Sequence, residues 1–102
     1  MLLGGHILNN YYFETIVDRL SLEEIELINA LTKDSAVNRF SALKKKDLFE
    51  CLKITETSFR KSILRLEALN FIEVSAGNRN HFVYVTDFGQ QAIQNIAERG
   101  NV

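Results

Sequence analysis

The clearest structural pattern of the chain lies in residues 43–86, LKKKDLFECLKITETSFRKSILRLEALNFIEVSAGNRNHFVYVT. Apolar spacing predicts a basic amphipathic helix over residues 44–54, a short polar turn and a second amphipathic helix over residues 56–69. Thr55 is the expected N-cap of the second helix, since its hydroxyl can accept a bond from an unpaired backbone N–H. At 100° per residue, this helix has an inward and an outward face. The inward face carries Phe59, Ser62, Ile63, Leu66 and Leu69, and the outward face carries Thr57, Arg60, Lys61 and Arg65.

A β-hairpin is predicted directly after these helices. Residues 71–75 and 81–85 are rich in β-branched and aromatic side chains, and residues 76–80 supply a polar tip. Asn70 follows the last inward leucine, a position where helices often end in a left-handed residue. Thr86 is the expected cap of a last helix. Its apolar stripe consists of Phe88, Ala92, Ile93, Ile96 and Ala97.

The N-terminal part of the chain predicts two more helices. Residues 10–20 begin with a possible Asn10 cap and place Tyr12, Phe13, Ile16, Val17 and Leu20 on one face. Ser21 and Glu24 form a capping-box pattern that opens the next helix. Its apolar positions are Leu22, Ile25, Leu27, Ile28 and Leu31. A short strand is predicted around residues 37–40, and Cys51 is expected to be a small buried side chain.

Composition bounds the class of protein. With 102 residues and 46% hydrophobic side chains, the chain is expected to be one domain with a core over residues 22–86. Residues 1–8 lack the charged start of a secretory signal, the apolar runs are too short to span a bilayer, and a single cysteine fits a reducing cytoplasm. The net charge is −1, but residues 1–32 balance at −4 and residues 33–82 at +4. A basic segment between acidic ends is the electrostatic footprint of DNA binding.

The succession ITETSFRKSILRLEALNFI (residues 54–72), followed by Thr86-Asp87-Phe88-Gly89, resembles the MarR-like winged helix-turn-helix family. A Ser/Thr-rich turn opens the recognition helix of that family, and a leucine pair near the helix end precedes the first wing strand. Asn70 stands where members usually have glycine, a mild departure because asparagine tolerates the left-handed region. The resemblance implies an α+β, mainly α, homodimeric fold with extra N- and C-terminal helices. It also implies sequence-specific binding of double-stranded DNA.

The candidate DNA contacts are cationic, hydroxyl or amide side chains on the predicted helices and wing. They are Lys44, Lys45, Lys46, Thr55, Thr57, Ser58, Arg60, Lys61, Arg65, Asn78 and Arg79. Alternatives remain for several of them. Arg79 would otherwise be a solvated turn residue, and the three lysines an ordinary helix start. Glu56 either complements the helix dipole or accepts a bond from cytosine. A winged helix that docks on protein and never contacts DNA is the alternative for the whole segment.

In size and layout, and in the segment FVYVTDFG (residues 82–89), the chain is also similar to the TubR-type centromere-binding proteins of plasmid and phage partition systems. That similarity implies repeated or palindromic DNA sites and a tubulin-like GTPase filament as partners, in a prokaryotic cytoplasm on plasmid or nucleoid DNA. A transcriptional repressor is the competing use. The expected dimer contacts, on helices 10–20 and 87–99 and on the recognition helix, are Tyr12, Ile16, Leu64, Phe88, Ile93 and Ile96. Leu64 would pack either on a partner subunit or on the chain's own N-terminal helix.

Catalysis and metal binding are not expected. The sequence has no Ser-His-Asp set, no paired-carboxylate pattern and no phosphate-cradling glycine loop. His6, Cys51 and His81 lack the spacing of metal ligands, so no cofactor is expected. His81 is instead expected to begin a wing strand, within reach of phosphate.

Overall fold

A computed structural model of the protein describes residues 11–77 and 79–100, which form five helices and three strands. The elements are α1 (11–18), α2 (Leu22–Lys33), β1 (Leu43–Lys44), α3 (Lys45–Leu52), α4 (Glu56–Ala68), β2 (Ile72–Ala76), β3 (His81–Val85) and α5 (Asp87–Gly100). The strands form one antiparallel sheet in the order β1-β3-β2. Helices α3 and α4 followed by the β2–β3 hairpin are the predicted winged helix-turn-helix, so the α+β fold is confirmed. The Asn10 cap, His6 and Asn78 lie outside the described residues.

Helix α2 lies at the centre of the structure, in contact with α3, α4, α5 and β3. Ser21 and Glu24 form the predicted capping box: the Glu24 N–H donates to Ser21 Oγ (3.1 Å), and the Ser21 N–H donates to Glu24 Oε1 (2.8 Å). Leu27, Ile28 and Leu31 are fully buried in the core. Leu22 was predicted as an apolar position of this helix, and it is 72% exposed. It is the first residue of α2, at the N-terminal end of the helix, and its side chain lies outside the core.

The predicted strand at residues 37–40 is wrong, because a side-chain-stabilised turn occupies this segment. Asn38 Oδ1 accepts hydrogen bonds from the N–H groups of Phe40 (2.8 Å) and Ser41 (3.1 Å), a local bonding pattern that competes with strand formation. The strand forms later, at Leu43 and Lys44, which pair with Val83 and Phe82 of β3. Phe40 is left 93% exposed.

Helix α3 is shorter than predicted. It begins at Lys45, since Lys44 is extended and belongs to β1, and it ends at Leu52, because the C-cap residue Lys53 has the left-handed φ of 54°. Only two further residues, Ile54 and Thr55, separate Lys53 from α4, so the turn between the two helices is tight. Cys51 was expected to be buried, but it lies on the exposed side of this short helix.

Helix α4 has the predicted cap, face and end. Thr55 Oγ1 accepts a bond from the Ser58 N–H (3.1 Å). Phe59, Ser62, Ile63 and Leu66 are buried as expected. Asn70 has φ 67°, and the N–H groups of Asn70 and Phe71 return to the carbonyls of Glu67 and Leu66, which closes the helix in a Schellman motif.

The wing hairpin is short and fixed at its base. Strands β2 and β3 pair from Ile72↔Val85 to Ala76↔His81, one residue later on β2 than predicted. At the base, the Thr86 hydroxyl donates to the Asn70 carbonyl (2.7 Å), and the Thr86 N–H donates to the Phe71 carbonyl (3.0 Å). The same hydroxyl accepts from the Gly89 N–H (3.0 Å) and so caps α5 as predicted. On the outer face of the hairpin, a hydrogen bond to Glu73 raises the pKa of Tyr84, with burial adding to the effect.

Helices α1 and α5 meet at an aromatic cluster. The ring centroid of Phe88 lies 5.0 Å from that of Phe13 and 5.2 Å from that of Phe71. Gly89 is needed here, because a Cβ at this position would collide with the Phe71 carbonyl oxygen and lie 2.6 Å from Val85 Cγ2. Among the described residues, no helix is long and apolar enough to cross a membrane.

Candidate nucleic-acid interface

A cation-lined cleft of about 420 Å³ lies between α3, α4 and the wing, and we call it the basic cleft. Helix α3 supplies its first turn, α4 its first half, and the hairpin its tip. The lining residues are Lys45, Lys46, Phe49, Glu56, Phe59, Arg60, Arg79, Asn80 and His81. The structure therefore brings together four predicted DNA contacts from three separate parts of the sequence. They are Lys45 and Lys46, Arg60, and Arg79. A concave surface with this charge attracts a polyanion.

The exposed start of α4 forms one wall of the basic cleft. Glu56, Phe59 and Arg60 are its lining residues; beside them on the same helix, Thr57 and Lys61 are exposed and Ser58 is half-buried. Thr55 is exposed too, but its hydroxyl already caps the helix. Phe49 and Phe59, with ring centroids 5.0 Å apart, support the floor of the cleft and anchor α3 to α4. The buried face of α4 thus fixes the outward direction of its polar face.

Glu56 is the acidic residue of the basic cleft, and it is paired with a cation. Its carboxylate lies 3.5 Å from the Arg60 guanidinium, one helical turn away, and both side chains are mostly exposed. Such an exposed pair contributes about 0.3–0.5 kcal/mol to stability. Arg60 therefore exchanges this contact for another at little cost in free energy.

The wing tip completes the cleft with polar side chains. The described residues from Gly77 to His81 are exposed. The Gly77 N–H donates to the Asn80 carbonyl (2.7 Å), which closes the turn. Asn80 and His81 were not among the predicted DNA contacts, although His81 was expected within reach of phosphate. Strand alternation is the sequence feature that could have indicated His81, because it places this side chain on the opposite face of β3 from Phe82.

Six of the predicted contacts that the structure describes are not part of the basic cleft lining: Lys44, Thr55, Thr57, Ser58, Lys61 and Arg65. Lys44 is exposed at the end of β1. Arg65 is half-exposed, but its guanidinium donates to the Arg19 carbonyl (2.9 Å) and lies 3.5 Å from the buried Glu24 carboxylate. Sequence could not indicate this contact, since it joins residues 46 positions apart.

The predicted dimer contacts divide into exposed and packed side chains. Leu64 is 64% exposed and Tyr12 is 61% exposed. Leu64 lies beside Val74 in a second groove, between α4 and the wing, that also includes Lys45, Arg60 and His81. Ile16, Ile93 and Ile96 are partly buried against the chain's own core, and Phe88 belongs to the aromatic cluster. Leu64 and Tyr12 therefore offer the larger apolar surfaces to a partner.

Metal binding has no support within residues 11–77 and 79–100, where no group of three or more His, Cys, Asp or Glu side chains could hold an ion. Apart from Glu56, the polar groups that line the basic cleft are four cations, the Asn80 amide and the His81 imidazole. These groups suit anion binding by charge and hydrogen bonding.

Comparison with known proteins gives one relative that spans nearly the whole chain. The DNA-binding protein TubR of Priestia megaterium is 34% identical over 89 residues, which cover 87% of this chain and 88% of that protein. The solved structure of TubR from Bacillus megaterium pBM400 matches with a TM-score of 0.82 at 34% identity, over 84% of this chain and 96% of that one. AbsC, a MarR family transcriptional regulator from Streptomyces coelicolor, matches with a TM-score of 0.67 at 15% identity, over 96% of this chain and 70% of that one, which indicates a shared fold alone. No family model matches the chain.

Proposed function

This chain belongs to the TubR family of DNA-binding proteins, and from that premise we propose that it binds double-stranded DNA through the basic cleft. The observation that carries the proposal is the meeting of Lys45, Lys46, Arg60 and Arg79 around the exposed start of α4. The start of a recognition helix enters the major groove in helix-turn-helix proteins, and a wing contacts the backbone or the minor groove beside it.

The basic cleft and the adjoining exposed face of α4 have separate parts in this mechanism. Lys45 and Lys46 hold phosphates of the strand that flanks α4, and Thr57, Ser58 and Lys61 face phosphates and base edges in the groove. Arg79 reaches the backbone or the minor groove from the wing tip. With four cations lining the cleft and Lys61 facing a phosphate beside it, the slope of log K against log salt should be about −4 to −5 per protomer, since each neutralised phosphate contributes about 0.9.

The bound form is proposed to be a homodimer. Leu64 lies on α4 itself, and an exposed leucine is poorly suited to reading bases. Packing Leu64 against a second copy would remove it from water and place two α4 helices side by side. Tyr12 on α1 would add to the same contact or form a second one.

The use proposed for this binding is plasmid or phage partition, in which several dimers load on a repeated centromere site in a prokaryotic cytoplasm. A tubulin-like GTPase filament is the proposed protein partner. Exposed acidic side chains of α1 and α2 are proposed to face that partner, since they do not line the basic cleft. They are Glu14 and Glu26. The proposed function contains no catalytic step.

A titration of one DNA site against a multi-repeat fragment from the same replicon tests the proposal. Partition predicts that binding to the array is steeper than binding to the single site, because neighbouring dimers assist each other. Independent binding to each repeat would instead favour a transcriptional repressor. Binding that is weak and insensitive to salt would return the chain to the protein-docking alternative, because only phosphate neutralisation gives a steep salt slope.

A further inference from the structure

Arg65 joins α4 to the corner between α1 and α2. Its Nη2 donates to the Arg19 carbonyl at 2.9 Å, and its Nη1 lies 3.5 Å from Glu24 Oε1. The same carboxylate oxygen accepts the Ser21 N–H in the capping box at 2.8 Å. A single guanidinium therefore contacts the chain just beyond the end of α1 and the first turn of α2.

Charge explains why an arginine occupies this position. The Arg19 carbonyl lies one residue beyond α1, where unpaired carbonyls and the helix dipole favour a cation. The Glu24 side chain is only 5% exposed, and a buried carboxylate without a cation is costly. The guanidinium satisfies both groups at once with its planar set of donors, which a lysine cannot reproduce.

We propose that Arg65 is a positioning residue that fixes the recognition helix α4 against the α1–α2 corner, and that it does not contact DNA. To reach a phosphate, its guanidinium would have to leave the Arg19 carbonyl. The Glu24 carboxylate would then be buried without a cation beside it. Lys61, one turn earlier on the same helix, is exposed to solvent. The positioning of α4 for DNA rests on the proposed function, whereas the attachment of α4 to the corner does not.

Chemical denaturation of the free protein tests the attachment. Arg65→Met keeps the aliphatic stem and removes the charge, and it should raise the unfolding equilibrium constant roughly 10- to 100-fold, since a charged hydrogen bond and a charge pair are lost. Glu24→Gln retains the capping box, because glutamine also accepts the Ser21 N–H. The double variant should be more stable than Arg65→Met alone, since it no longer buries an unpaired carboxylate. Equal stability of Arg65→Met and the parent would overturn the proposal.

Titration with a mixed-sequence duplex at several salt concentrations tests the second half, with Lys61→Met as the matched control. Lys61→Met should reduce the salt slope by about 0.9 and leave stability unchanged, whereas Arg65→Met should weaken binding with an unchanged slope. A slope reduced equally by both substitutions would make Arg65 a phosphate contact and overturn the proposal. Failure of the parent protein to bind the duplex would count against the DNA-binding function, and the denaturation experiment would still decide the attachment.

Discussion

Replacing Glu56 with glutamine should tighten DNA binding, because this residue places a negative charge among the cations of the basic cleft. The substitution keeps the length of the side chain and its place at the start of α4. It removes the carboxylate that lies 3.5 Å from Arg60. Arg60 then has no competitor for a phosphate oxygen.

The size of the effect follows from two contributions. A carboxylate about 7 Å from a bound phosphate costs roughly 0.6 kcal/mol in a solvent-exposed setting, since the pair is surrounded by water. The parent protein must break the exposed Glu56–Arg60 pair when Arg60 binds a phosphate, which costs about 0.3–0.5 kcal/mol; the Glu56→Gln variant avoids this cost. The affinity should therefore rise about four- to sixfold per protomer. The free energy of unfolding should fall by about 0.3–1 kcal/mol, because an acidic residue no longer faces the positive end of the α4 dipole.

Fluorescence titration at low fixed salt measures the change in affinity, and thermal denaturation measures the change in stability. Glu50→Gln on α3 is the matched control, because Glu50 is exposed and does not line the basic cleft. The gain in affinity should vanish near 1 M salt, where screening acts over about 3 Å. Weaker binding by Glu56→Gln, with the loss concentrated at one cytosine of the site, would refute this reasoning. It would show that the carboxylate accepts a hydrogen bond from the base.

Arg79→Ala should reduce the salt slope by about 0.9 while sparing discrimination between major-groove sequences, and an unchanged slope would make Arg79 a solvated turn residue. Gly89→Ala should lower the free energy of unfolding by about 1–3 kcal/mol, because the added Cβ meets the Phe71 carbonyl. A gain of about 1 kcal/mol in thermal denaturation, as helix propensity alone would give, would contradict that close approach. Leu64→Asp should dissociate the dimer in sedimentation and leave the protomer folded, and a monomeric parent at tens of micromolar would remove the premise. Ile96→Asp should lower stability as well as association, because Ile96 packs on the chain's own core.

Local sequence patterns predicted the helix-turn-helix and the wing well. The cap at Thr55, the buried face of α4 and the left-handed Asn70 depend on residues within a few positions of one another. The two wing strands pair through a short hairpin, so their register is also local. The DNA-binding function predicted from these elements is confirmed by membership in the TubR family.

Two features were missed because distant parts of the chain determine them. Strand β1 consists of two residues, and it exists only because β3 offers a pairing edge to Leu43 and Lys44. The contact of Arg65 with Arg19 and Glu24 depends on the packing of α4 against α2, which no periodicity encodes. The predicted strand at residues 37–40 failed for a local reason, since the Asn38 side chain forms a turn that propensity rules overlooked.

The hydrogen bonds at the base of the wing make the hairpin an exchangeable module. Thr86 ties the carbonyls of Asn70 and Phe71 to the start of α5, so the ends of the hairpin are held independently of its tip. Doubling the length of a flexible tip then costs only about 0.6 kcal/mol of closure entropy. Tips of different length and charge could be grafted between Ala76 and His81 without moving α4. Evolution could alter how far such a protein reaches along the duplex while keeping the bases that α4 recognises.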